Sequence, residues 1–202
     1  MAKNGIGLTE KVSSGGNAPR RPLKGHRRRR LERGFVQVYT GDGKGKTTAA
    51  LGLALRAAGA GLRVWIGQFI KGMKYSELRA LARHRGAIEV HQFGRGCFIR
   101  SAPTETDIEC ARRGLVEARR ILEEGRHDVV ILDEANIAAK LGLISAEDLC
   151  SLIDARPDGV ELVLTGRSAP KEVLEKADLV TEMREVRHYY RRGVMARTGI
   201  EK

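Results

Sequence analysis

The segment Thr40-Gly41-Asp42-Gly43-Lys44-Gly45-Lys46-Thr47-Thr48 decides the reading of this chain. It follows the apolar run Phe35–Thr40, which reads as a strand, and it opens a run that reads as a helix. A glycine-rich turn between strand and helix is the setting of a phosphate-binding P-loop. The glycines let the backbone turn tightly and aim its N–H groups inward, the helix N-terminus adds partial positive charge, and Lys46 reaches phosphate oxygens. Thr47 supplies a hydroxyl for Mg²⁺. Gly41, Asp42, Gly43, Lys44, Gly45 and Thr48 complete the loop as nucleotide-binding candidates. The usual spacing is G-x-x-x-x-G-K-[ST], and Thr40 stands where its first glycine belongs. The competing reading is a flexible Gly/Lys surface turn, against which the flanking strand and helix both weigh.

About 85 residues further on, Val129-Val130-Ile131-Leu132-Asp133-Glu134 reads as a buried strand ending in two acids. That arrangement sets a carboxylate beside Mg²⁺ and the phosphates in P-loop proteins. Alone it is common and often structural; paired with the loop it points to nucleoside triphosphate binding. No Asn-Lys-x-Asp base-reading motif occurs, which argues against a GTPase. The histidines at 26, 84, 91, 127 and 188 lack metal-ligand spacing.

Working outward, strands are expected at Phe35–Thr40, Arg63–Phe69, Ile88–Phe93, Val129–Asp133, Val160–Thr165 and Leu179–Glu182, with helical stretches between them. The clearest helix carries Ile108, Ala111, Leu115, Ala118 and Leu122 on one face, and Thr104 with Asp107 marks its start as a capping box. Ser145 with Asp148 marks another. The expected fold is α/β: a P-loop NTPase-like, open, mostly parallel sheet of about six strands with helices on both faces.

Of 202 residues, 42% are hydrophobic and 31% charged, which suits one domain with a sizeable core and excludes collagen-like or fully disordered chains. No apolar run reaches the ~18 residues of a membrane span, no secretory signal is evident, and Cys97, Cys110 and Cys150 read as free thiols of a reducing cytosol. A cytoplasmic protein without membrane contact is expected. Residues 1–33 hold ten Lys or Arg against Glu10 and Glu32, a net of +8, leaving +4 of the total +12 for residues 34–202. Residues 1–25 read as a flexible basic tail, 26–33 as a basic arm or lid, and 34–202 as the domain. Arg27–Arg30 either form a solvated arm or meet an anionic partner; nucleic acid is disfavoured because no aromatic residue lies between them.

Several separate motifs then resemble the P-loop ATP:cob(I)alamin (corrinoid) adenosyltransferases. They are Thr40–Ala50, Gln68-Phe69-Ile70-Lys71-Gly72, Leu132-Asp133-Glu134, Ala155-Arg156-Pro157, Leu164-Thr165-Gly166-Arg167, Val186-Arg187-His188 and Gly199-Ile200-Glu201. The likeness runs from about Gly34 to Lys202, and the Thr40-led loop is itself this family's version. It implies an enzyme that transfers the 5′-deoxyadenosyl group of ATP to Co(I) of a corrinoid and releases tripolyphosphate. It further implies Mg²⁺ held by Thr47 and Glu134 with Asp133 nearby, a homodimer, and a reducing flavoprotein such as flavodoxin as partner. Lys46 would serve catalysis; Gln68 and Lys71 would contact ligand from the end of the second strand. Arg56 and Arg167 either contact nucleotide or are surface or helix-end charges. Where bacterial relatives carry Phe-x-Trp, this chain reads Gly94-Arg95-Gly96-Cys97-Phe98-Ile99-Arg100, which leaves Phe98 as the one aromatic wedge under the corrinoid. The alternatives are a P-loop ATPase or nucleotide-dependent regulator with a nucleic-acid-binding tail, and a non-catalytic corrinoid carrier.

Overall fold

The computed structural model describes residues 31–96, 99 and 102–201. The tail 1–25, most of the arm and Phe98 lie outside the described residues. Six strands form one sheet: β1 (Val36–Thr40), β2 (Val64–Lys71), β3 (Ile88–Gly96), β4 (Val129–Asp133), β5 (Glu161–Thr165) and β6 (Leu179–Glu182). Their order across the sheet is β3-β2-β4-β5-β1-β6, and every pairing is parallel. The crossovers carry helices α1 (Lys46–Gly59), α2 (Ser76–Leu81), α3 (Glu105–Glu124), α4 (Ala135–Lys140), α5 (Ala146–Asp154) and α6 (Lys171–Lys176).

Parallel strands covered on both faces bury both of their side-chain rows. In β4, Val129 and Ile131 pack on the face covered by Ala50, Ala54 and Ala57 of α1, while Val130 and Leu132 face the helices of the other side, among them α3 and α5. The alanines of α1 recur at helical spacing and bring its backbone close to the sheet, so the loop that precedes it is fixed against the strand ends. Among the described residues no helix is long and apolar enough to cross a membrane. Cys110 and Cys150 are unpaired thiols, the first of them buried.

The expected elements are present, and β4 and β6 have the expected bounds. β2 and β3 run further than expected, to Lys71 and Gly96, and the reason is local. The β2–β3 register slips between Phe69 and Lys71, and Ile70 takes a φ of 65°, the left-handed region that a β-branched residue rarely enters. Pairing resumes beyond it, where Gly72 N–H donates to Gly96 O at 2.6 Å. The bulge is possible because a Cβ on Gly94 would lie 2.1 Å from the Ile70 carbonyl.

The predicted capping box at the head of α3 is complete: Asp107 N–H donates to Thr104 Oγ1, and Thr104 N–H donates to Asp107 Oδ2 at 3.0 Å. Ser145 and Asp148 do the same for α5. Replacing Thr104 by Ala should cost about 1 kcal/mol in equilibrium urea unfolding, and Thr104→Ser should restore most of it.

Candidate functional site

The carboxyl ends of the strands put their polar residues in one row. Gln92 of β3, Gln68 of β2 and Asp133 of β4 are register partners across three neighbouring strands, and Thr165 ends β5 next to them. Asp133 is 1% exposed and collects four donors. Thr47 Oγ1 and Thr165 Oγ1 donate to its Oδ1 at 2.9 and 2.7 Å, while Lys71 Nζ and Gln68 Nε2 donate to its Oδ2 at 2.7 and 3.1 Å. Gln92 Nε2 in turn donates to Gln68 Oε1 at 3.1 Å and orients that amide. Strands β2, β4 and β5 and the first turn of α1 are thereby joined through one carboxylate.

The loop is shaped by what lies against it. Gly45 has a φ of 124° at the head of α1, and a Cβ on Gly43 would come within 2.6 Å of Met183 O. Gly43 N–H uses that closeness to donate to Met183 O. Thr40, at the place of the missing glycine, is still strand: it pairs with Glu182, and its hydroxyl accepts from Ala169 N–H at 3.3 Å. The loop therefore turns one residue later than the usual spacing, at Gly41 with a φ of 88°.

Lys46 is buried, and its ammonium donates to Gly41 O at 2.6 Å and Gly43 O at 2.8 Å. Burial pushes its pKa down, while Glu134 and Asp42 pull it up. Glu134 adopts a left-handed φ of 62° at the head of α4, fixed by its N–H donating to Thr165 Oγ1 at 3.0 Å. Burial raises its pKa and the Asp133 charge raises it further; Lys71, Lys46 and Arg167 act the other way. Thr47, Asp133 and Glu134 are hard oxygen donors, and the described residues contain no cluster of three His, Cys, Asp or Glu able to hold a metal by themselves. Oxygen donors of this kind fit a hard cation such as Mg²⁺, which takes one or two protein oxygens and completes its shell with phosphates and water. The Lys71 ammonium already sits between Thr47 Oγ1, at 3.2 Å, and Asp133 Oδ2, so a cation is at home there.

The other candidates are spread more widely. Arg167 follows β5, 3.9 Å from Asp42, and with Arg184, Arg191, Glu182 and Glu185 these two line a cleft of about 500 Å³. Lys44 turns away from the loop's concavity, donating to Ile200 O and Glu201 Oε1 at 3.2 Å each. Arg56 is exposed in the last turn of α1, ten residues or roughly 15 Å along the helix from Lys46. A second cleft of about 310 Å³ opens beside the β2–β3 bulge, lined by Ile70, Phe93, Gly94, Arg95, Ile99 and Leu143 among others. Two residues of the site were not among the sequence candidates. Thr165 had a signal, since it stands in the quoted Leu-Thr-Gly-Arg motif; Gln92 had none beyond its strand.

Thr165→Val removes a donor to a buried carboxylate and the acceptor for Glu134 N–H at once. It should lower stability by about 2–3 kcal/mol in urea unfolding, whereas Thr165→Ser should stay within about 1 kcal/mol of the parent.

Residues 32–201 match the sequence model of the family described as ATP:corrinoid adenosyltransferase BtuR/CobO/CobP. The chain is 36% identical over 170 residues to the corrinoid adenosyltransferase of Escherichia coli (strain K12), covering 84% of this chain and 86% of that protein. It is 36% identical over 173 residues to the corrinoid adenosyltransferase of Pseudomonas aeruginosa, covering 85% of each. The corrinoid adenosyltransferase CobA of Salmonella typhimurium is 36% identical over 170 residues, again covering 84% of this chain and 86% of its own length. By its sequence over nearly the whole described domain, this chain belongs to the ATP:corrinoid adenosyltransferase BtuR/CobO/CobP family.

Proposed function

We propose that this protein transfers the 5′-deoxyadenosyl group of ATP to the Co(I) ion of a corrinoid. The observation that carries the reading is a P-loop whose threonine is bonded to the Walker-type carboxylate Asp133, with Lys46 held on the loop's own carbonyls, at the strand ends of a chain from this family. The reaction balances without an acid or base from the protein. The cobalt electron pair forms the cobalt–carbon bond, the C5′–O bond breaks, and its electron pair leaves on tripolyphosphate while cobalt becomes formally Co(III).

The work left to the chain is electrostatic and positional. Loop N–H groups and Lys46 hold the triphosphate and meet the charge that develops on the leaving oxygen. To reach phosphate, Lys46 exchanges its two carbonyl partners for oxygens of the nucleotide. Thr47, Glu134 and Asp133 would hold Mg²⁺, which when bound neutralises part of the triphosphate charge. Arg167 lies within reach of the loop's rim at Asp42, and we assign it to nucleotide. We place the edge of the corrinoid at the cleft beside Ile70 and Ile99, with Phe98 as the wedge below cobalt, because that cleft is lined by Ile70, the chain neighbour of Lys71, and by Ile99 and Ala102 of the segment after β3. Gln68 and Lys71 then stand between nucleotide and corrinoid. A homodimer is supported by apolar exposure along the edge strand β6, at Leu179 and Val180, and in the C-terminal segment at Val186 and Met195. A cytoplasmic enzyme supplied with electrons by a flavoprotein completes the proposal.

Incubation with MgATP and chemically reduced cobalamin tests the reading. A light-sensitive alkylcobalt product together with tripolyphosphate is expected; ADP and phosphate without that product would make the protein an ATPase instead. Lys46→Ala should slow adenosyl transfer by about a hundredfold or more. Glu134→Gln should shift the Mg²⁺ titration to higher concentration, because an amide is a poorer ligand for a hard cation. Phe98→Ala should slow the coupled reaction that starts from Co(II) and spare the one that starts from Co(I); equal losses in both would make Phe98 an ordinary packing residue.

A further inference from the structure

The Asp133 knot contains one charged member for which phosphate binding gives no account. Lys71 is 13% exposed at its side chain, and its ammonium lies 2.7 Å from Asp133 Oδ2 and 3.2 Å from Thr47 Oγ1. Thr47 is one of the metal ligands of the family reading, beside Glu134, and Asp133 is the acid it brings close to the divalent metal. A metal ion between them and the Lys71 ammonium would share one small volume, with like charges about 3 Å apart. They exclude each other.

A second observation shows that this placement is held against local preference. Gln68 and Lys71 are three residues apart, so an unbroken strand would send their side chains to opposite faces of the sheet. Both nevertheless reach Asp133 Oδ2, because the register slip and the left-handed Ile70 turn Lys71 back toward the row. A strained β-branched residue persists only where its surroundings over-determine it, here through the contact of Gly94 with the Ile70 backbone.

We propose that Lys71 is an internal counter-cation: in the nucleotide-free protein it fills the metal position beside Thr47 and Asp133, so divalent metal enters only with a triphosphate and displaces it. The inference rests on the metal reading given above. It makes the empty enzyme indifferent to free metal and keeps the buried Asp133 charge compensated throughout the cycle. The ammonium released from Asp133 stays at the end of β2, beside the cleft assigned to the corrinoid, so metal loading and a change of charge at that cleft become one event.

The test is binding of Mn²⁺ to the full chain without nucleotide, read from the electron paramagnetic resonance signal of free Mn²⁺. Wild type should bind weakly, Lys71→Met about tenfold more tightly or better, and Lys71→Arg no better than wild type. Adding Asp133→Asn to Lys71→Met should abolish the gain. Lys71→Gln, which keeps an N–H donor for Asp133 and drops the charge, carries the same expectation and guards against a poorly folded Met variant. Each titration is repeated with inorganic tripolyphosphate. If wild type takes up Mn²⁺ with tripolyphosphate but neither neutral variant gains affinity for the metal alone, the role of Lys71 is overturned by itself. If tripolyphosphate brings no metal to wild type, the metal reading falls and the inference with it.

Discussion

The Asp133 carboxylate is the interaction on which the rest depends. An ionised carboxylate that is almost wholly inaccessible to water survives only if its oxygens are fully satisfied and its charge is met. Two hydroxyls, one amide and one ammonium do this, and they come from α1, β2 and β5. The demands of that one group therefore fix three geometric relations: how close the first turn of α1 sits to β4, how β2 ends, and where Thr165 stands. Loss of one partner leaves a buried charge under-compensated, which typically costs several kcal/mol. The same constraint shapes Glu134, because the hydroxyl that serves Asp133 also anchors the Glu134 backbone in its left-handed turn.

This explains which parts of the molecule could be read from its residues. Strands such as Val129–Asp133 announce themselves by composition, since a parallel strand covered on both faces is apolar throughout. The capped helices announce themselves by two residues each. The loop announces itself because glycine is the residue that permits both its turns and its contact with Met183. The end of β2 is different. Gln68-Phe69-Ile70-Lys71-Gly72 has no local property that demands a bulge at Ile70; the bulge follows from Gly94, twenty-four residues away, and from a carboxylate on a third strand. Gln92 was illegible for the same reason, as its role is set by its register partner Gln68 and not by its neighbours in the chain. Thr165 could have been found from its motif, yet its two bonds depend on β5 lying beside β4, a matter of strand order.

Strand order also explains the positions of the more distant candidates. Because β1 lies between β5 and β6, Glu182 and the segment after β6 approach the loop from one side, while Thr165 of β5 and, beyond β4, Gln68 and Lys71 of β2 lie on the other. The loop thus has two flanks of different character. One opens into the charged cleft with Arg184 and Arg191, and the other borders the more apolar cleft beside Ile70, Phe93 and Ile99. A substrate pair made of a polyanion and a large, mostly apolar macrocycle needs such a division. The triphosphate belongs with N–H groups and cations, and the cobalt centre belongs where water is scarce.

The proposed chemistry asks no proton transfer of the acids and lysines that stand around the loop. Displacement at a saturated carbon by a metal-centred electron pair requires no proton to be removed from the nucleophile, and a triphosphate leaving group carries its charge away on oxygens that cations can stabilise directly. A general base would add nothing to that path. What limits it is repulsion between an electron-rich metal and a polyanion brought into the same cavity. In the proposed arrangement that repulsion is lowered by cations on the phosphate side of the reacting carbon, where Lys46 is already held by two backbone carbonyls, and by the apolar side chains of Ile70, Phe93 and Ile99 on the cobalt side. On the proposed reading the asymmetry of the two flanks serves catalysis, and the buried Asp133 ties the first turn of α1 to β2 and β5 beside them.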